Sequence, residues 1–192
     1  MNELIKAKSN FKKVELEFKA AGKGVEKATR SAINSVAAQG KTKASKTIRA
    51  VYNIKAKDVN KTLTVIRVNA TNKEAKIISK GYKALSLGKF KPTQTKKGVE
   101  VKIKMTNKKG LVRGAFKATM PSGHQGVFKR HGEKREMTRG RYKGKERQPI
   151  QDKFAIGVPI MFRAKAVMPK VQRFIREKFP IILKSKLEYF NK

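Results

Sequence analysis

Residues 98–105 read GVEVKIKM. Val99, Val101, Ile103 and Met105 fall on one face of an extended chain, and Glu100, Lys102 and Lys104 on the other. Successive side chains of a strand point to opposite faces, so this alternation predicts a strand with one buried and one wet side. Asn107 and Gly110 bracket a turn. Residues 112–120, VRGAFKATM, then resume the alternation, with Val112, Phe116, Ala118 and Met120 together. The two segments read as an antiparallel hairpin that places Ile103 and Phe116 on the core side.

Outward from this hairpin the middle of the chain stays β-like. Segment 61–69, KTLTVIRVN, is rich in Thr, Val and Ile, and 74–80, EAKIISK, is a weaker strand. A turn at Pro121-Ser-Gly precedes a short strand from Gly126 to Arg130. The flanks are helical. Val25, Ala28, Ala32, Ile33, Val36, Ala37, Ala44 and Ile48 recur at steps of three and four, which predicts a helix over about 24–50. Gly40 sits inside that pattern and marks a kink or a close contact. Val171, Phe174, Ile175, Phe179, Ile182, Leu183, Leu187 and Phe190 repeat in the same way near the C-terminus. They predict helices over about 158–168 and 170–190, broken or kinked near Pro169 and Pro180. Residues 1–20 are expected to form a short helix or strand. The expected fold is α+β: a long N-terminal helix and C-terminal helices packed on a mostly antiparallel sheet of about four to five strands. Its 192 residues fit one domain spanning 1–192.

Charge sets the next constraint. Lys and Arg number 49 against 13 Asp and Glu, a formal net charge of +36. Solubility needs a net charge of only about 2–8, and a larger surplus costs stability through self-repulsion. The excess therefore points to a polyanionic environment. With 39% hydrophobic residues the chain is too apolar for a disordered polycation. There is no Cys, hence no disulfide, thiolate metal site or thiol nucleophile. Two His are too few for a His-based metal cluster, and neither Asp58 nor Asp152 has a second Asp or Glu within several residues to make a local paired-carboxylate motif. GKGVEKAT at 22–29 lacks the spacing of a phosphate loop. No finger spacing and no aromatic-rich recognition sheet is present, so any nucleic-acid contact is expected through the backbone and without sequence preference. No cofactor, metal or enzymatic activity is expected. No apolar run reaches the roughly 20 residues of a membrane span, and MNELIKAKSNFKK lacks the apolar stretch of a signal peptide.

One stretch concentrates the charge. Residues 129–148 hold nine Lys and Arg, three Glu and three Gly, with Met137 and Tyr142 as the only apolar anchors. The cations are Lys129, Arg130, Lys134, Arg135 and Arg139, followed by Arg141, Lys143, Lys145 and Arg147. A basic loop at about 131–147 follows, either a disordered insertion or a binding loop. Without a partner it is expected to be mobile, and its cations are the candidate nucleic-acid or subunit contacts.

The block Gly114-Ala-Phe-Lys-Ala-Thr-Met-Pro-Ser-Gly-His-Gln-Gly-Val-Phe-Lys-Arg130, followed by Gln148-Pro-Ile150, resembles the minor tail protein Z family of tailed phages. The residues that carry the resemblance are Gly114, Phe116, Gly123, His124, Gly126, Phe128 and Pro149. The loop 131–147 is longer and more basic than the short link of many members. The resemblance implies a structural, non-enzymatic tail-completion protein that acts at the head-proximal end of the tail. It implies a homo-oligomeric ring, commonly a hexamer, at the head–tail joint around the DNA channel. The implied partners are other tail and neck proteins and the DNA in transit, with no membrane. The implied location is the virion tail, and the host cytoplasm during assembly. The alternative is a non-specific nucleic-acid-binding protein of nucleoid- or ribosome-associated type, which explains the charge but not the 114–130 block.

Overall fold

The computed structural model describes residues 23–69, 72–82 and 84–190. The element expected over 1–20 lies outside these residues. The described residues divide into two compact units, one made of those within 23–50, 56–81 and 158–190, the other of those within 51–55 and 82–157.

The first unit is built on α1 (Lys23–Val51), whose stripe Val25, Ala28, Ala32, Val36, Ala44 and Ile48 is buried as its periodicity requires. Gly40 is a close contact: a Cβ there would lie 2.9 Å from Ile77 Cδ1 and 3.2 Å from Ile175 Cδ1. Short α2 (Ala56–Asn60) leads into the hairpin of β1 (Leu63–Ile66) and β2 (Lys76–Ser79), paired Leu63↔Ser79 to Ile66↔Lys76. Asn34 on α1 clips the chain after β1, donating from Nδ2 to Val68 O at 3.1 Å and accepting from Val68 N at 2.8 Å. Helix α3 (Val158–Arg163) and α4 (Met168–Phe190) complete the unit, burying Val158, Met161, Phe162, Val171 and Leu183. The helical break falls at 164–167, before Pro169, and α4 runs on through Pro180. Proline removes one intrahelical hydrogen bond. Pro180 is exposed, so water can serve the carbonyl left without a partner.

The second unit is all β. Its strands are β3 (Ala84–Ser86), β4 (Thr93–Thr95), β5 (Gly98–Val101), β6 (Gly110–Arg113), β7 (Ala115–Thr119), β8 (Gln125–Arg130), β9 (Arg135–Glu136), β10 (Glu146–Arg147), β11 (Ile150–Asp152) and β12 (Phe154–Ile156). They form antiparallel sheets ordered β4-β5-β6, β11-β8-β7, β12-β3 and β10-β9. A 3-10 turn, Leu87–Phe90, buries Leu87 and Phe90. The α+β class, the long N-terminal helix and the C-terminal helices are as expected, while the strands are spread over several small sheets.

The opening hairpin shows why. Strand β5 ends at Val101, and β6 pairs with it from Gly98↔Arg113 to Val101↔Gly110. Gly114 has φ +69°, a left-handed conformation that breaks the expected 112–120 strand into β6 and β7. Beyond β5 the chain turns to the segment after α1: Asn53 N donates to Ile103 O and Met105 N to Val51 O, both at 2.9 Å. Ile103 and Phe116 are consequently half-buried, and the core positions are Val99, Val101, Ala115, Val127 and Phe128.

A carboxylate clasp and a basic ribbon

Asp152 stands on β11 opposite Phe128 of β8. Its Oδ2 accepts from His124 Nε2 at 2.8 Å, and its Oδ1 accepts from Ser86 Oγ at 3.1 Å. Ser86 Oγ in turn accepts from Gly88 N at 3.3 Å. One carboxylate thus joins β11, the turn between β7 and β8, and the start of the 3-10 turn. Gly126 makes room for it, because a Cβ at that position would lie 2.9 Å from Asp152 Oδ1 and 2.8 Å from Phe128 Cζ. The ring of Phe128 lies edge-on to His124, centroids 6.1 Å apart, and 6.2 Å from Phe116, over which Arg130 sits at 5.8 Å.

Ser, Asp and His meet here in the wrong order for nucleophilic catalysis. A triad places the imidazole between hydroxyl and carboxylate so that it can take the hydroxyl proton. In this cluster the carboxylate is in the middle, bonded to both the imidazole and the hydroxyl, and among the described residues no hydroxyl is bonded to His124. The arrangement is a clasp that holds three segments of chain. Among the described residues no group of three or more His, Cys, Asp or Glu is placed to hold a metal ion.

The motif residues Gly114, Phe116, Gly123, His124, Gly126 and Phe128 all belong to this sheet or its turn. Met120 N donates to His124 O at 2.8 Å, and Gly123 N to Met120 O at 2.8 Å, closing the turn. Pro149 stands at the base of the basic stretch, where its carbonyl accepts from His131 N at 2.8 Å. Nothing in the sequence connects His124 with Asp152 or Ser86. They are 28 and 38 positions away along the chain, and only the strand pairing brings them together.

The basic stretch, expected as either a disordered insertion or a binding loop, contains two short paired strands. It forms a ribbon, with β9 and β10 paired Arg135↔Arg147 and Glu136↔Glu146. Met137 N donates to Lys145 O at 3.1 Å and Gly144 N to Met137 O at 2.9 Å, and Gln148 Nε2 ties the base to Gly132 O at 2.7 Å. Arg147 lies 3.8 Å from the Tyr142 ring centroid, a cation–π contact that makes Tyr142 an anchor of the ribbon. Lys129, Arg130, Lys134, Arg135 and Arg139 are exposed, as are Arg141, Lys143 and Lys145; Arg147 is half-buried by its tyrosine. None of these nine takes part in the ion pairs found among the described residues. The ribbon and the end of β8 therefore present nine cations, none in an ion pair among the described residues.

The family model of prophage minor tail protein Z matches residues 15–190. The chain belongs to that family. Membership gives it a structural role in a phage tail, in association with other tail proteins, and a place in the virion. No curated protein and no solved structure matches the chain. No helix among the described residues is long and apolar enough to cross a membrane. Within this minor tail protein the 114–130 block is the clasped sheet, and the basic ribbon is inserted between that sheet's strands β8 and β11.

Proposed function

We propose that this minor tail protein is a tail-completion subunit, a single functional domain over 1–192, that forms a homo-oligomeric ring around the DNA channel at the head-proximal end of the tail. The cations from Lys129 to Arg147 meet DNA phosphates or neighbouring subunits there. The observation that carries the reading is the ribbon: a cluster of mostly exposed cations in no ion pair among the described residues, on a chain of net charge +36. Such a surface attracts a polyanion without reading its sequence. The function requires no chemistry of the clasp, which serves to hold the sheet from which the ribbon projects.

Imaging of intact particles carrying a label on this subunit tests the position. A label at the joint between tail and capsid is the expected result. A label at the distal end, or along the tube, would remove the head-proximal reading while leaving family membership untouched.

A further inference from the structure

Residues directly opposite in an antiparallel ladder share a face, and neighbours along a strand take opposite faces. With Arg135 opposite Arg147 and Glu136 opposite Glu146, the ribbon has two guanidiniums on one face and two carboxylates on the other. The bond from Met137 N to Lys145 O carries the register onward and adds Lys145 to the arginine face. On the glutamate face the position beside Glu136 is Gly144, where even a Cβ would stay 4.0 Å from Glu136 Oε1. That face is open.

Like charges placed directly opposite destabilise a strand pair, and a two-stranded ribbon is marginal alone. An alternating Arg–Glu register would have given cross-strand attraction within the ribbon. This one gives repulsion on each face, and makes the two faces complementary to each other. We propose that the ribbon is a head-to-tail contact between copies of this chain, the Glu136/Glu146 face of one copy seated on the Arg135/Arg147 face of the next. A nucleic acid accounts for the arginine face alone and is repelled by the other. A second copy accounts for both. Contacts between two different surfaces of one subunit build rings when the rotation closes; the inference rests on the ring reading above and supplies an interface for it. The cations nearer the tip, Arg139, Arg141 and Lys143, lie outside this pairing.

The test is sedimentation of the full-length chain. The doubly reversed variants Arg135→Glu/Arg147→Glu and Glu136→Arg/Glu146→Arg have two acidic and two basic faces respectively. Each alone is expected to associate about tenfold or more weakly than the unaltered chain. Mixed in equal amounts they are expected to associate again, and the fourfold swap is expected to associate by itself. Circular dichroism checks folding, and Glu136→Gln/Glu146→Gln, expected to weaken association part-way, replaces any reversal that unfolds the chain. An unaltered chain that stays monomeric, variants that sediment as it does, or a mixture no better than its components would overturn the proposal. Tighter DNA binding by Glu136→Arg/Glu146→Arg with association unchanged would assign the ribbon to DNA instead and overturn it too. Presence of the unaltered chain in purified tails is scored separately, so the tail reading survives a negative sedimentation result.

Discussion

His124 Nε2 lies 2.8 Å from Asp152 Oδ2, a side-chain bond between the turn joining β7 to β8 and the strand β11 on the other side of β8. The Asp152 side chain is 13% exposed and that of His124 42%, so the carboxylate is largely withdrawn from water while the imidazole caps it. The same carboxylate satisfies Ser86, whose residue is buried. Asp152→Ala should leave that hydroxyl without an acceptor and cost about 1–3 kcal/mol. His124→Ala, at the exposed side, should cost less. In a double-mutant cycle followed by thermal unfolding the two should couple by roughly 0.5 kcal/mol or more. Strictly additive losses would show that the bond contributes nothing to the sheet.

Gly126 gives a second measure of the clasp. An added methyl overlaps both Asp152 Oδ1 and Phe128 Cζ, so Gly126→Ala should destabilise by about 1–3 kcal/mol through overpacking. Gly110→Ala, where the nearest atom to a new Cβ is Val101 O at 3.8 Å, is the control and should be nearly neutral. Equal melting temperatures for the two variants would mean that β8 and β11 can part at little cost.

The core side of the opening hairpin can be mapped by charge. Val99 is 0% exposed in the middle of β5, so Val99→Lys should bury an unpaired ammonium and cost several kcal/mol, of order 3 or more. Ile103→Lys should be milder, because Ile103 lies beyond the end of β5 and is half-buried. Leu111→Lys should be close to neutral, since Leu111 is exposed and faces Glu100 across the ladder. Chemical denaturation of the three variants reads the order directly, and a different order would relocate the buried face.

This ranking also marks where sequence reading stopped. The 24–50 periodicity became α1 because a long amphipathic repeat constrains one face over seven turns, and nothing in it depends on distant residues. The alternation at 98–105 was equally plain, yet the strand stops at Val101. Residues 103 and 105 spend their backbone hydrogen bonds on Asn53 and Val51, a non-local choice that alternation cannot encode. Gly114 was visible as a glycine within a strand pattern, and its left-handed φ is what separates β6 from β7. The few apolar residues of 129–148 leave a disordered insertion and a binding loop equally open, and say nothing of a ribbon. It is held instead by backbone bonds and by Arg147 on Tyr142. The clasp was illegible for the simplest reason: Ser86, His124 and Asp152 become neighbours only when β11 pairs with β8 and β12 with β3.

Burial raises the pKa of Tyr52, which is 4% exposed, above the ordinary phenol value. A group whose neutral form is favoured by folding contributes stability that is full below its unfolded pKa and is lost as pH rises through the folded one. In an ultraviolet titration one tyrosine of the four should therefore ionise above the ordinary phenol range, and stability should fall as it does so. Tyr52→Phe should abolish the late phase and flatten that alkaline loss. A late phase that persists in Tyr52→Phe would assign it to another phenol.

The ribbon tip makes the last and most direct claim, that the chain's charge meets nucleic acid. Purified protein should bind double-stranded DNA without sequence preference, and its affinity should fall steeply with salt. Each phosphate neutralised releases condensed counterions and contributes about −0.9 to the slope of log affinity against log salt. Arg139, Arg141, Lys143 and Lys145 are exposed, take part in no ion pair among the described residues and sit around the turn of the ribbon. Changing all four to Ser should flatten the slope by roughly 0.9 for each contact they make, and weaken binding alike on every sequence. Thermal stability should change little, because these side chains are solvated and the Arg147–Tyr142 contact remains. An unaltered slope in a folded variant would move the DNA contact to another basic surface, such as the polar face of α4 with Lys170, Arg176 and Lys184. Binding that survives high salt, or that selects a sequence, would mean the protein reads base edges, for which neither the ribbon nor the clasped sheet offers a reader.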